Sequence, residues 1–287
     1  MKRYEAYKDS GTSEFGVVPA TWNIMSCNHV CGSIFMGKTP IYANEPNAHI
    51  IIGQRNNQNG GIEWKNLKFA NEDFYGSRPQ NEFLRKNDIL INSLGTGSVG
   101  RIGLCGDLRG NRVLTDGHII VLRTNRLADA RYLFYQLSCQ SDLLADEAVG
   151  STNQAFLKVS DIGKRACLQP SLPEQKVIAD YLDAKTAEID ALVADCEREV
   201  GLLQEYRKAV ISEAVTKGLD PDVPMKDSGI EWIGEIPKHW NCENLGGHSW
   251  MLTPMRDKPE DLTGPIPWVR IEDYDGKYIS ASKEELG

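Results

Sequence analysis

The longest regular pattern of apolar and polar positions runs from Pro173 to Lys217. Apolar side chains recur there every seven residues, with others at the intervening positions, which is the period of a coiled coil. Pro173 suits the first turn of a helix, and Gly218 suits its end. The apolar seam of this predicted helix consists of Ile178, Leu182, Ile189, Leu192, Cys196, Leu203, Tyr206 and Val210. Such a helix is ~65 Å long, so we expect a spacer with further structure at each end.

Residues 1–172 show a different pattern, in which short apolar runs alternate with polar turns. Residues 50–52 and 118–122 favour strands, and residues 84–92 favour a turn that leads into a strand. Residues 128–149 carry leucines and a tyrosine at helical spacing. This mixture predicts the α+β class: a mixed α/β domain, then the long coiled-coil-type helix, then a second, incomplete domain.

The second domain is predicted from an internal repeat. Residues 8–23 and 226–241 share Lys-Asp-Ser-Gly and then Gly, Pro, Trp and Asn at equal spacing, eight identities in sixteen positions. A period of 218 residues indicates duplicated domains rather than a solenoid. We therefore divide the chain into a first domain (1–172), a spacer helix (173–218), and a linker with the start of a second domain (219–287).

The charge distribution separates these parts. The whole chain has a formal net charge of -8. Residues 1–172 hold 19 basic and 16 acidic residues, whereas residues 173–287 hold 13 and 24. Only the first domain therefore has a balance that favours the phosphate backbone of a nucleic acid.

Cysteine usage and hydropathy bear on where the protein works. The seven cysteines are an odd number and are scattered, which suits reduced thiols. No apolar run is long enough to span a membrane, and the first residues do not resemble a signal peptide. We expect a soluble, cytoplasmic protein without membrane partners.

A polar loop after the strand at 50–52 has the composition of a base-reading segment. Asn and Gln side chains pair with adenine edges, and Arg addresses guanine or phosphate. A plain surface loop has the same composition, so that interpretation stays open. The candidates here are Arg55, Asn56, Asn57, Gln58 and Asn59.

A second candidate segment is glycine-rich. Gly95, Gly97 and Gly100 match the dinucleotide-binding spacing, but the residues that follow favour a strand where that site requires a helix. We therefore predict strand, turn, strand, with a turn that can approach phosphate closely. Its candidate contacts are Thr96, Ser98 and Arg101, and a basic turn further on adds Arg109 and Arg112.

No catalytic, metal or cofactor site emerges from the sequence. Cys27, His29 and Cys31 have no second ligand pair, and Asp116 with His118 has no third partner. A P-loop and the Asn-Pro-Pro-aromatic tetrapeptide of amino-methylating enzymes do not occur. We predict no catalytic residue, no metal and no cofactor.

Three motifs together resemble one family. They are DSGIEWIGEIPKHW at residues 227–240, EQKVIADYLDAKTAEID at 174–190 and EAVTKGL at 213–219. In this combination the chain resembles the specificity subunit of type I restriction-modification enzymes, over nearly its whole length. The resemblance implies two target-recognition domains that each read half of a bipartite DNA site, joined by long helices. It also implies double-stranded DNA, modification (methyltransferase) subunits and restriction (endonuclease) subunits as partners.

The resemblance adds one further group of contacts. A Gly-Ser-Thr element similar to residues 150–152 closes the recognition domain in this family, and the glycine-rich turn recurs there as well. The implied contacts in this short polar turn are Ser151, Thr152, Asn153 and Gln154.

The second copy has 62 residues where the first needs ~165, so we expect residues 242–287 to be poorly packed.

In this family the seam of one spacer helix pairs with a second spacer helix, which this chain lacks. We expect the seam to pair instead with the same helix of a second copy or with modification subunits. Antiparallel pairing sets two recognition domains ~65 Å apart, just under two turns of DNA. Two alternatives stay open: an inactive remnant or recombination cassette, and a stand-alone DNA-modifying enzyme.

Overall fold

The structure is a computed structural model that describes residues 4–12, 14–95, 97–148, 156–250, 266–270 and 284–286. It forms two compact units, residues 1–197 and 198–287, and the boundary lies within the long helix. The strands of the first unit are β1 Tyr7–Asp9, β2 Val17–Pro19, β3 Asn23–Ser26, β4 Cys31–Met36, β5 Ile50–Ile52, β6 Asn57–Gln58, β7 Gly61–Ile62, β8 Lys68–Phe69, β9 Ile89–Asn92, β10 Ile102–Leu104, β11 Leu114–Thr115, β12 Ile119–Thr124 and β13 Ala166–Gln169.

Helices in this unit are short, apart from the spacer. They are α1 Cys27–Val30, α2 Glu72–Gly76, α3 Ala130–Ser138, α4 Ser141–Ala148, α5 Val159–Lys164 and the start of α6 Leu172–Lys217, with a 3-10 turn at Gln80–Glu82. The second unit contains the end of α6, then β14 Met225–Asp227, β15 Glu235–Pro237, α7 Leu245–His248, β16 Ile266–Trp268 and β17 Glu284–Leu286. The mixture of helices and strands confirms the predicted α+β class.

The core of the first unit is a four-stranded sheet in the order β10-β9-β12-β4, with all neighbours antiparallel. One face, with Ile89 and Ile91, packs on helices α3 and α4. The other face, with Leu90, packs toward the sheet β11-β5-β8. Because successive side chains of a strand point to opposite faces, β9 is buried on both sides, with three apolar residues followed by the buried Asn92.

Two predicted elements differ in detail. The helix predicted over 128–149 is two helices, since the chain turns at Cys139 and the buried Gln140 between α3 and α4. The spacer helix is confirmed as one continuous element of 46 residues, and Gly218 ends it with a φ of 78°. That left-handed conformation favours glycine.

The duplicated sequence forms the same hairpin twice, once in each unit. β1 pairs with β2, and β14 pairs with β15, in equivalent antiparallel registers. The carboxylate of Asp9 accepts a hydrogen bond from the Gly11 amide (2.8 Å), and Asp227 accepts one from Gly229 (2.9 Å). The sequence repeat is therefore a structural repeat over its first hairpin. The packing expectation for residues 242–287 falls largely outside the described residues.

Candidate nucleic-acid interface

The polar loop at 53–60 is partly built into the fold. Asn57 is fully buried, and its Nδ2 donates to Leu90 O (3.2 Å) and Asn92 Oδ1 (2.9 Å). Asn56 is also buried, with its Nδ2 donating to Glu63 O and Lys65 O. Asn56 and Asn57, which the sequence offered as base contacts, are therefore buried and unavailable to a base edge. The hydrogen bonds of the two Nδ2 groups fix the loop to the fold, whereas Asn57 Oδ1 is buried and accepts no hydrogen bond from the described residues.

A glycine makes this arrangement possible. A side chain at Gly103 on β10 has no room, since its Cβ atom would lie 2.1 Å from Asn57 Oδ1. Gly100 is equally constrained, because a Cβ atom there would lie 2.7 Å from Ser141 O at the start of α4. The glycine-rich segment therefore lets β9, β10 and the helices pack closely. It runs from strand to turn to strand, as predicted.

The other side chains of the loop come together with the glycine-rich turn. Arg101 Nη1 donates to Gln58 Oε1 (3.2 Å), and Gln58 Nε2 donates to Arg55 O (2.6 Å). Gln54 Nε2 donates to Leu94 O at the start of the turn. We call the resulting polar patch the paired-loop surface. Its members, all at least partly exposed, are Arg55, Gln58, Asn59, Ser98 and Arg101.

The remaining sequence candidates do not join this surface in the described residues. The Arg109 guanidinium lies over the Trp64 ring (5.0 Å), and Arg112 lies over Phe83 (4.1 Å) and bonds Gln80 (2.9 Å). Both arginines are exposed and stay predictions. The candidates that lie outside the described residues are Thr96, Ser151, Thr152, Asn153 and Gln154.

The acid and thiol groups that the sequence analysis considered for catalysis or metal binding lie in the folded core or in a turn. Asp116 Oδ1 accepts the His118 backbone N–H (2.9 Å), and burial raises the pKa of the Asp116 carboxyl. Burial also raises the pKa of the Cys31 thiol to about 12, while the Sγ atoms of Cys27 and Cys167 lie 3.2 Å apart in the core. Across the described part of the chain, no group of three His, Cys, Asp or Glu side chains is arranged for a metal ion. No helix there is long and apolar enough to cross a bilayer.

The first turns of α6 are attached to the rest of the first unit by polar contacts. Glu174 Oε1 accepts hydrogen bonds from Trp22 Nε1 (3.2 Å) and Tyr4 Oη (2.5 Å), and the latter bond raises the pKa of Tyr4 to about 12. Arg131 forms ion pairs with Asp180 (2.7 Å) and Asp183 (2.6 Å). The helix is therefore held at a defined position on the domain.

Gln175 is the centre of this attachment and was not found from the sequence. Its side chain is buried, accepts a hydrogen bond from Asp129 N (2.8 Å), and donates to Leu127 O, Gln169 Oε1 and Pro170 O. Its only sequence signal is a polar residue at the start of an amphipathic run, which is too common to single it out.

The predicted seam divides into two parts. Ile178 and Leu182 are half-buried, whereas the seam residues further along are exposed. Their exposed fractions are 57% for Ile189, 60% for Leu192, 58% for Leu203, 68% for Tyr206 and 45% for Val210, and Cys196 is exposed as well. A stripe of large apolar side chains in water is typical of a surface that binds a partner.

These features define a structural class, an α+β domain with a long helix, that is known from solved type I restriction-modification proteins. The fold matches a chain from work on complex assembly and conformational transition of the type I R-M system, with a TM-score of 0.57 and 19% identity, over 74% of this chain and 49% of that one. It also matches the HsdS subunit from Thermoanaerobacter tengcongensis, with a TM-score of 0.50 and 20% identity, over 74% and 48%.

The chain belongs to the family of the type I restriction modification DNA specificity domain, whose model matches residues 19–195. It is 22% identical over 251 residues to the putative type I restriction enzyme MjaX specificity subunit of Methanocaldococcus jannaschii, covering 86% of this chain and 57% of that protein. It is 24% identical over 263 residues to the EcoKI specificity subunit of Escherichia coli, covering 82% and 51%. The chain thus spans about half the length of these curated relatives.

Proposed function

We propose that residues 1–172 form a target-recognition domain that reads one half of a bipartite DNA site as part of a type I restriction-modification complex. The observation that supports this proposal most is the paired-loop surface, where two chain segments bring arginine and amide side chains to one exposed patch. Such side chains read base edges and contact phosphates. The names of the relatives, which are specificity subunits, support the same role.

In this proposal the chain is non-catalytic and directs other subunits to DNA. Modification and restriction subunits carry out methylation and cleavage, and α6 connects them to the recognition domain. The purified chain alone, given methyl donor and Mg²⁺, is therefore expected neither to methylate nor to cut DNA. Activity of the isolated chain would favour the stand-alone enzyme instead.

The paired-loop surface gives the first testable prediction. We expect the double variant Gln58→Ala/Arg101→Ala to lower affinity for the target site about 30-fold or more, because each good base contact contributes about 1–3 kcal/mol. The measurement is fluorescence anisotropy with the full chain in complex with its modification subunit. The control is Lys164→Ala, an exposed cation outside this surface. Equal affinity of the double variant and wild type would remove this surface from DNA recognition.

The exposed seam gives the second prediction. We propose that it pairs with the same helix of a second copy, antiparallel, so that two identical domains read inverted half-sites. Leu192→Glu/Leu203→Glu is expected to weaken self-association by about a thousandfold or more, since each buried leucine contributes about 1.5–3 kcal/mol. Sedimentation velocity measures the shift from dimer to monomer.

Val215→Glu is the matched control for the seam, because Val215 is 65% exposed on the same helix but outside the seam. It is expected to leave the dimer intact. A wild-type chain that stays monomeric at high concentration would contradict self-pairing. Binding of the monomer to modification subunits through the same residues would then assign the seam to those subunits.

A further inference from the structure

A cleft lined by basic side chains lies on the recognition domain, away from the candidates that the sequence suggested. Three segments form it: the turn before β9, the end of β12, and the first turns of α6. Its volume is about 470 Å³. We call it the basic cleft, and its charged and polar lining includes Arg85, Lys86, Asn87, Arg123, Arg126 and Lys176.

Four of the five cations of the basic cleft lack counter-charges among the described residues. Arg85, Lys86, Arg126 and Lys176 are exposed, and none of them forms an ion pair with another residue of the described ranges. The two acids of the cleft are already engaged. Asp88 is paired with Arg123. Asp129 caps α3 by accepting hydrogen bonds from the backbone amides in the first turn of that helix. The cleft therefore carries a surplus of positive charge on a chain whose net charge is -8.

The ion pair between Arg123 and Asp88 stabilises the wall of the basic cleft. The Arg123 guanidinium contacts both oxygens of Asp88 (2.8 and 2.7 Å), as well as Asn81 O and Phe83 O. Asp88 is buried, and its Oδ2 also accepts the Arg85 backbone N–H (2.8 Å). The turn that carries the free cations is thus fixed by a buried ion pair, so those cations stay together without a ligand.

The nature of this surface identifies the kind of ligand. The unpaired cations are long, exposed and carried by three separate segments of the chain. They suit a ligand with charges repeated along its length, and a DNA strand presents one phosphate about every 3.4 Å. Contacts of this kind position a protein on DNA without reading its sequence.

We propose that the basic cleft, at the start of β9, binds the phosphodiester backbone of duplex DNA, while the paired-loop surface, past the end of β9, reads the site. This inference rests on the proposed DNA-recognition function and adds the residues that set its register. Each phosphate that a cation neutralises contributes about 0.9 to the slope of log affinity against log salt concentration.

The test is Lys86→Gln/Arg126→Gln in the full chain in complex with its modification subunit, with anisotropy titrations of a short mixed-sequence duplex at several salt concentrations. We expect weaker binding and a salt slope shallower by about two, one for each lost contact. The charge-matched control is Lys8→Gln/Lys164→Gln, since both lysines are exposed and outside the cleft. This control is expected to keep the wild-type slope, and circular dichroism confirms that each variant is folded.

The outcomes separate this inference from the proposed function. If the cleft variant binds the duplex with wild-type affinity and an unchanged salt slope, the basic cleft does not bind DNA and the proposed function is unaffected. A cleft variant that loses its modification subunit but binds DNA like wild type also overturns it, by assigning the cleft to an acidic protein partner. Failure of the wild-type chain to bind duplex DNA overturns both.

Discussion

Replacing Gln175 with alanine is expected to lower the free energy of unfolding of the recognition domain by about 3–4 kcal/mol. The substitution removes four hydrogen bonds at a buried position. It leaves the Asp129 amide and the Leu127 and Pro170 carbonyls to be satisfied by other means, and each unsatisfied buried group costs about 1–3 kcal/mol. Urea denaturation followed by circular dichroism measures the loss.

The control for this prediction is Gln204→Ala on the same helix. Gln204 is exposed, so the expected change lies within about 0.5 kcal/mol. If both variants unfold at the same urea concentration as wild type, Gln175 does not fasten α6 to the domain. A loss confined to Gln175→Ala supports the attachment described above.

Replacing Asp88 with alanine is expected to lower the free energy of unfolding by about 3–5 kcal/mol, because the partly buried Arg123 guanidinium then has no carboxylate partner. The Asp88 side chain is only 1% exposed, so water cannot replace the lost carboxylate easily. The Arg85 amide also loses its acceptor. The same denaturation measurement applies.

An exposed ion pair provides the comparison for Asp88. The Asp180 side chain is 66% exposed in its pair with Arg131, and Asp180→Ala is expected to cost less than about 1 kcal/mol. Equal losses for the two variants would contradict the assigned role of the buried pair. A larger loss for Asp88→Ala would show that the wall of the basic cleft depends on it.

The helix and the repeat were predictable because their signals are periodic. Every seventh residue from Leu182 to Val210 is apolar, and that pattern extends over more turns than chance allows. The repeat of residues 8–23 at 226–241 was predictable from shared residues, whereas the hairpin that each copy forms was not predicted. The break between α3 and α4 was not, since Cys139 and Gln140 carry no breaker signal and tertiary contacts decide it.

The candidate interface was predictable in part. Composition drew attention to two loops, but only the fold brings Gln58 to Arg101. Composition also could not separate Asn57, which is buried, from Asn59, which is exposed, because the difference lies in which face of the hairpin meets β9. The basic cleft was missed since its cations are separated by up to about ninety residues along the chain.

Mapping methylated bases tests most directly whether residues 1–172 select the DNA site. Cells carry the full chain with a matching modification subunit, and parallel cells carry Gln58→Ala/Arg101→Ala. The predicted result is one bipartite methylated motif with the wild-type chain, palindromic if the helix self-pairs, and a relaxed or lost motif with the variant. An identical motif in both cells, or none from an expressed chain bound to its modification subunit, would contradict the account.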